Sequence, residues 1–351
     1  MTRPLVLIAL LLGSCATPPA PPPPIDPALR EKIDSSVQTL ARNPKASCLA
    51  IGLLRDGHSH VLGYGTPLPD GDTVFEIGSI TKTFTALLLW QAVQNGSVTL
   101  DDPISKYLPQ GARAPSRNGK EITLAQLATH TSGLPRLPAN LAPRDGRNPY
   151  ADYTVTELFD GLGSLVLEND PGAKYDYSNL GAGLLGELLA LRAGTTYEAL
   201  VADRICRPLG LKDTGVSLND EQRRRLAPGY TADGKRTPNW DIRGIPGAGA
   251  LRSTVHDLLR YLEANFGDAY APAQVPRVSV DGTVSVGLGW HLLSVTPKAP
   301  RIVWHNGGTG GYRCFVGFVR ETRTAVVVLS NSGAEVDPLG VALVKLLQDV
   351  K

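Results

Sequence analysis

The stretch EIGSITKTFTALLL, residues 76–89, sets Ser79 three residues ahead of Lys82 where an apolar helix begins. At a helix start, free backbone N–H groups and the helix dipole favour developing negative charge. A residue three positions on lies one turn away on the same face, so the Lys82 amine reaches the Ser79 hydroxyl. A serine nucleophile needs a base, and a neighbouring lysine of depressed pKa supplies one. Alone the pattern decides nothing. Ser-x-x-Lys arises by chance about once in a chain this long, and a helix cap followed by a surface lysine would read the same way.

Two further stretches give it context. PGAKYDYSNLGAGLLGELLA carries Tyr177-Ser178-Asn179 just before another apolar helix, and WHNGGTGGYRCFVGF carries His305-Asn306-Gly307 at the end of an apolar strand. In this order the three motifs resemble those of the serine β-lactamase and penicillin-binding protein superfamily. The Tyr-x-Asn form resembles its class C-like branch, as do LATHTSGLP, with His130, and CRPLGLKDTGVS. The segment DPISKYLPQGARAPSRNGKEITLAQLATHTSGLPR is closest in look to the periplasmic D-Ala-D-Ala carboxypeptidase/endopeptidases of that branch. The resemblance covers roughly residues 30–350.

Carried over residue by residue, it implies that Ser79 is the acylated nucleophile and that Lys82 and Tyr177 exchange its proton. Asn179 would bind the acyl-side amide and orient Lys82. The oxyanion would face the backbone N–H groups of Ser79 and Gly308, beside a glycine-rich strand edge on which a substrate backbone can pair. There is one departure. Class C β-lactamases mostly carry Lys-Thr-Gly where this chain has His305-Asn306-Gly307. In the family that lysine helps hold the substrate carboxylate. A histidine does so as a cation or through one hydrogen bond, so its effect is expected to vary between about pH 5 and 8. Histidine forms occur among the family's D,D-peptidases and D-amino acid hydrolases, which favours a peptidase over a β-lactamase. Packing of His305 at a strand end is the plain alternative.

Other residues suggest less. His58 and His60 lack the further ligands of a dinuclear zinc site and should face solvent on a strand, His256 should lie on a helix surface, and His291 has no obvious partner. Trp304 and Tyr312 flank the glycine-rich turn and suit either the cleft wall or the core. With no H-E-x-x-H and no phosphate-binding glycine loop, no metal or cofactor is expected.

Outward from the motifs, residues 26–43 read as an amphipathic helix through Leu29, Ile33, Val37 and Leu40. Apolar strands follow around Asp56-Gly57, a hairpin turn. Helical patterns dominate from Thr83 to about Leu262. Strands return in VSVGLGWHLLSV, RIVWHNGG, RCFVGFV and TAVVVLSNS, before a closing helix. The predicted fold is of the α+β type: one antiparallel sheet built from both chain ends, flanked by helices, with a mainly helical insertion. The sheet region is placed at about 28–82 and 264–351 and the helical region at about 83–263.

The first 27 residues read as address and tether. MTRPLVLIALLLGSC has a charge at Arg3 and an apolar run of about ten residues, too short to span a bilayer but suited to an export signal. Its ending resembles the lipobox of bacterial lipoproteins, with Cys15 lipidated as the first mature residue; a plain cleaved signal is the alternative. Residues 16–27 are nearly all proline and alanine. As polyproline II at about 3.1 Å per residue they would hold the domain, residues 28–351, roughly 30 Å from the lipid. Ala16 would by the same resemblance favour the outer membrane. Three cysteines remain, Cys48, Cys206 and Cys314, and an odd number excludes full pairing. Free buried thiols or one disulfide both fit. A hydrophobic share of 42% indicates an ordinary globular core, and a net charge of +2 offers no case for nucleic acid.

The leading expectation is therefore a monomeric, lipid-anchored periplasmic serine hydrolase that cleaves D-Ala-D-Ala-type wall peptides and is acylated by β-lactams. A class C-like β-lactamase, a small-ester esterase and a silent wall-peptide binding module are the alternatives. Pocket shape depends on loops near residues 136–155 and 226–250, which are rich in proline, glycine and arginine.

Overall fold

The computed structural model describes residues 23–41, 47–296 and 299–349. The signal segment with Cys15 and most of the tether lie outside the described residues. Among those residues, no helix is long and apolar enough to cross a membrane.

One eight-stranded sheet organises the chain. Across it run the strands His58–Gly65, Cys48–Arg55, Thr324–Ser330, Arg313–Val319, Ile302–Gly308, His291–Leu293, Val284–Val286 and Val278–Ser279. Every neighbouring pair is antiparallel. The N-terminal hairpin joins the C-terminal strands through the register Ile51↔Val328, so both chain ends build one sheet. VSVGLGWHLLSV, read as strand, is split into two three-residue strands around Gly287 and Gly289.

Both sheet faces are covered, which is why its central strands read as unbroken apolar runs rather than alternating ones. Leu49, Ile51, Val326 and Val328 pack with Leu29, Ile33, Leu339 and Leu343 of the two terminal helices, Pro27–Leu40 and Asp337–Asp349. Ala50, Val316, Val327 and Leu329 face the Val255–Ala264 helix on the other side. That helix lies so close that a Cβ at Gly52 would come within 2.5 Å of Val255.

Two helices at the centre carry the motifs. Thr81–Gln94 is buried from Thr81 to Leu89, and Asn179–Ala193 from Leu180 to Ala190. Helices apolar all round belong inside a protein, and these two pack against each other. Ser178 caps the second: its Oγ accepts from Gly181 N at 2.8 Å and donates to the Pro135 carbonyl at 2.7 Å. The middle residue of Tyr177-Ser178-Asn179 is therefore structural, fixing where its neighbours point.

Cys48, Cys206 and Cys314 are all free and buried, and burial pushes each thiol up to about 12. His58 is exposed at the hairpin, and His256 is exposed on its helix with Nδ1 2.7 Å from Asp72. Tyr312 is a core residue: fully buried, it donates to the Ala227 carbonyl at 2.5 Å and accepts from Asn239 at 2.9 Å.

Candidate active site

Ser79 sits in the tight turn Gly78–Ile80, just before the Thr81–Gln94 helix. Gly78 has φ +48°, and a Cβ there would lie 2.6 Å from Gly308 N. A Cβ on Gly307 would lie 2.0 Å from the Ile77 carbonyl oxygen and 3.2 Å from Ser79 N. Two glycines thus let the turn and the strand approach backbone to backbone, bringing the Ser79 and Gly308 amides to one spot. Pairing of the Ile302–Gly308 strand with His291–Leu293 stops at Trp304. From His305 to Gly308 the strand is paired, among the described residues, only with Arg313–Val319.

Lys82 is 2% exposed. Its Nζ lies 3.0 Å from Ser79 Oγ, 2.8 Å from Asn179 Oδ1 and 2.6 Å from the Ala248 carbonyl oxygen. Burial, aided by the Arg136 charge, holds the amine well below the usual lysine range. A neutral amine has two N–H groups and one lone pair. Asn179 Oδ1 and the Ala248 carbonyl only accept, so they take both N–H groups and the lone pair faces Ser79.

Tyr177 lines the cleft with Ser79, near enough for its hydroxyl to feel the serine side chain, and its ring centroid is 4.9 Å from Lys82 Nζ. Burial raises its hydroxyl above the usual phenol range, so it remains a proton donor. His130 packs on the Tyr177 ring at 4.4 Å between centroids. Its Nδ1 accepts from Ser178 N at 3.1 Å, which fixes the turn carrying Tyr177. Arg136 lies over the ring with Cζ 5.1 Å from the centroid, and Tyr150 lines the same cleft beside Asn179.

His305 departs from expectation. It is 1% exposed, and its Nδ1 lies 2.6 Å from the Asn306 carbonyl oxygen, to which it donates. Burial, with His291 and Lys82 nearby, holds the ring well below the usual histidine range. Burial therefore disfavours the imidazolium form on which the expected pH-dependent role would draw. Asn306 Nδ2 donates to Asp337 Oδ2 at 2.5 Å, and burial beside Glu335 raises that carboxyl to about 7.

The cleft encloses about 510 Å³ and is lined by Ser79, Tyr177, Asn179, Asn306, Gly307 and Gly308. Sequence reasoning missed Arg136, Tyr150, Arg313 and His291. His291 has a partner after all, with Nε2 3.1 Å from the Tyr175 hydroxyl and its ring 4.9 Å from that of Trp304, which also lines the cleft. Arg136 directly follows LATHTSGLP and Arg313 the glycine-rich turn, so adjacency to a motif was the available signal. Among the described residues, no group of three or more His, Cys, Asp or Glu is placed to hold a metal ion.

The family described as Beta-lactamase matches residues 33–348. The D-alanyl-D-alanine-carboxypeptidase/endopeptidase AmpH of Escherichia coli (strain K12) is 33% identical over 305 residues, 79% of this chain and 78% of its own length. A Beta-lactamase of Pseudomonas fluorescens is 28% identical, covering 86% of this chain and 93% of that protein. Among solved structures, a Beta-lactamase/D-alanine carboxypeptidase from Yersinia pestis superposes with a TM-score of 0.79. It is 26% identical and covers 91% of this chain and 98% of that one.

Proposed function

The chain belongs to the β-lactamase family of serine hydrolases, and from that premise we propose that it is a D-alanyl-D-alanine carboxypeptidase/endopeptidase of peptidoglycan peptides. The observation that carries this reading is the enclosed Lys82 amine, whose Nζ lies within hydrogen-bond reach of Ser79 Oγ, Asn179 Oδ1 and the Ala248 carbonyl oxygen.

Lys82 takes the Ser79 proton as Oγ attacks the D-alanyl carbonyl. The oxyanion is met by the Ser79 and Gly308 amides, where losing one donor costs about 10²- to 10³-fold in rate. Tyr177 gives its proton to the leaving nitrogen and is refilled from Lys82. Asn179 holds Lys82 and the acyl-side amide, and water then releases the acyl group. Because His305 is buried with its Nδ1 on the Asn306 carbonyl and does not line the cleft, fixed positive charge for the substrate carboxylate falls to Arg313. Its guanidinium lies over Gly308: a Cβ there would sit 2.8 Å from Arg313 Nη1. That nitrogen donates to the Thr309 and Tyr312 carbonyls at 2.8 and 2.9 Å, which leaves the other guanidinium N–H groups for a ligand.

The enzyme works as a periplasmic monomer without cofactor. Residues 1–15 direct export, a lipid on Cys15 anchors the chain in the outer membrane, residues 16–27 are a proline-rich tether, and residues 28–351 form the hydrolase.

Intact mass after brief exposure to benzylpenicillin, with Ser79→Ala alongside, tests the reading. A persistent penicilloyl adduct absent from the variant supports the peptidase. Unmodified protein with hydrolysed drug means a β-lactamase instead. If neither protein nor drug changes, an esterase or silent module takes its place.

A further inference from the structure

Glu187 lies eight residues past Asn179 on the same helix and takes no part in the chemistry above. It is 9% exposed, and among the described residues nothing donates a hydrogen bond to its carboxyl. Buried carboxyls are ordinarily paired or hydrogen-bonded. The other buried carboxyls here each have at least one partnered oxygen, although Glu76 Oε2 has no hydrogen-bond partner among the described residues. Glu76 accepts from Trp240 N at 2.9 Å, and Asp257 accepts from two backbone N–H groups and the Thr214 hydroxyl. Glu187 instead borders a cavity of about 690 Å³, formed by the Thr195–Glu198 turn, residues 216–218 and residues 239–246. Burial alone raises its carboxyl to about 7.

This cavity and the catalytic cleft share no lining residue, yet they back onto one segment. Asn239 and Asp241 line the cavity, while Trp240 between them lines the cleft.

Three arginines also line the cavity, but Arg223 pairs with Asp220, Arg252 pairs with Glu76 and Asp241, and neither they nor Arg243 offset the burial of the Glu187 carboxyl. The other acids of the cavity are already engaged. Glu198 accepts from Ser217 N and Oγ at 2.6 and 3.0 Å, and Asp241 accepts from Asn148 at 3.0 Å. A metal ion needs several free oxygen ligands, whereas an ammonium needs one carboxylate. Val155, Val216, Leu218, Ile242 and Pro246 give the cavity apolar wall for an alkyl stem.

We propose that this cavity is a second ligand site, which binds a primary alkylamine with its ammonium on the Glu187 carboxylate. An occupant would bear on the support of Lys82. Pro246 opens the turn whose Gly247 carbonyl accepts from Thr85 Oγ1 at 2.8 Å and whose Ala248 carbonyl holds Lys82. Tyr197, also in the lining, shares a 2.7 Å hydrogen bond with Thr85.

The test is titration of the protein with n-pentylamine at about pH 8, where carboxylate and ammonium are both charged. Backbone amide NMR shifts are followed, with 1-pentanol as the uncharged control. Saturable shifts at Thr195–Glu198 and residues 216–218, absent with pentanol and at least about tenfold weaker in Glu187→Gln, are expected. Shifts equal with pentanol, unchanged in Glu187→Gln, or never saturating overturn the proposal. Glu187→Leu, which removes the desolvated carboxyl altogether, serves the same comparison if the glutamine variant does not fold.

Discussion

The carbonyl oxygen of Ala248 lies 2.6 Å from Lys82 Nζ, across 166 positions of sequence. With Asn179 Oδ1 it fixes which way the amine's lone pair points. Lys82→Arg keeps a long basic side chain but places a group that does not deprotonate beside Ser79. Acylation by a chromogenic β-lactam is expected to slow about 10²- to 10⁴-fold. Stability should move the other way. Between Lys82's depressed pKa and the ordinary lysine value the native state binds fewer protons than the unfolded chain, so stability rises with pH across that window. Lys82→Met removes that dependence, and its urea midpoint at neutral pH should exceed that of the parent. A Lys82→Met midpoint equal to or below the parent's means that the amine is charged in the fold.

His305 contributes stability with a definite sign. Its folded pKa is depressed, so below about pH 6.5 the unfolded chain takes a proton that the native ring refuses. Stability is therefore lost as pH falls from about 6.5. His291, held at about 4 by burial and by Lys82, behaves likewise down to that value. Asp337 and Glu187, raised to about 7, act oppositely and favour the fold at low pH. Comparing His305→Asn with the parent isolates one imidazole from these opposing groups. Urea melts between about pH 6 and 5 should show the variant losing about 1.4 kcal/mol less per pH unit. Parallel slopes would mean that His305 is protonated in the native state.

Gly307→Ala probes the close approach behind the two amides. A Cβ would meet the Ile77 carbonyl oxygen at 2.0 Å and Ser79 N at 3.2 Å, so strand and turn must separate. The variant should still give native circular dichroism, because the clash is confined to one edge of the sheet. Its kcat/KM is expected to fall about 10²-fold or more, through kcat, as when an oxyanion donor is lost. A change carried by KM alone would place the amides elsewhere.

The Ser79 and Tyr177 motifs were legible because each is local: a serine and lysine one turn apart, and a tyrosine and asparagine flanking a helix cap. The join between the first hairpin and the last strands was legible too, since apolar runs at both chain ends need one shared sheet. The environment of His305 was not, because it depends on burial in the folded core and on the charges of His291 and Lys82, which only the fold brings beside it. Ala248 was equally hidden, since a backbone carbonyl leaves no residue-type signal. Arg313 offered only its adjacency to the glycine-rich turn, since strand register is what sets it opposite Gly308.

That register supports the last prediction. Arg313 pairs with Gly308, and its guanidinium fills the space a side chain at 308 would occupy. It forms no salt bridge among the described residues, although the half-buried Asp337 carboxyl feels its charge. A fixed cation beside the oxyanion edge should discriminate by substrate charge. Arg313→Gln is expected to lower kcat/KM about 10- to 100-fold for a D-Ala-D-Ala peptide with a free C-terminal carboxylate, mainly through KM. That is the scale of one charge-assisted hydrogen bond. For the same peptide as its C-terminal amide, the variant and parent should differ by less than about threefold. An equal loss on both peptides would mean that Arg313 only braces the Thr309–Tyr312 turn through its two carbonyl contacts, and the carboxylate would then have to be met by Arg136 across the cleft.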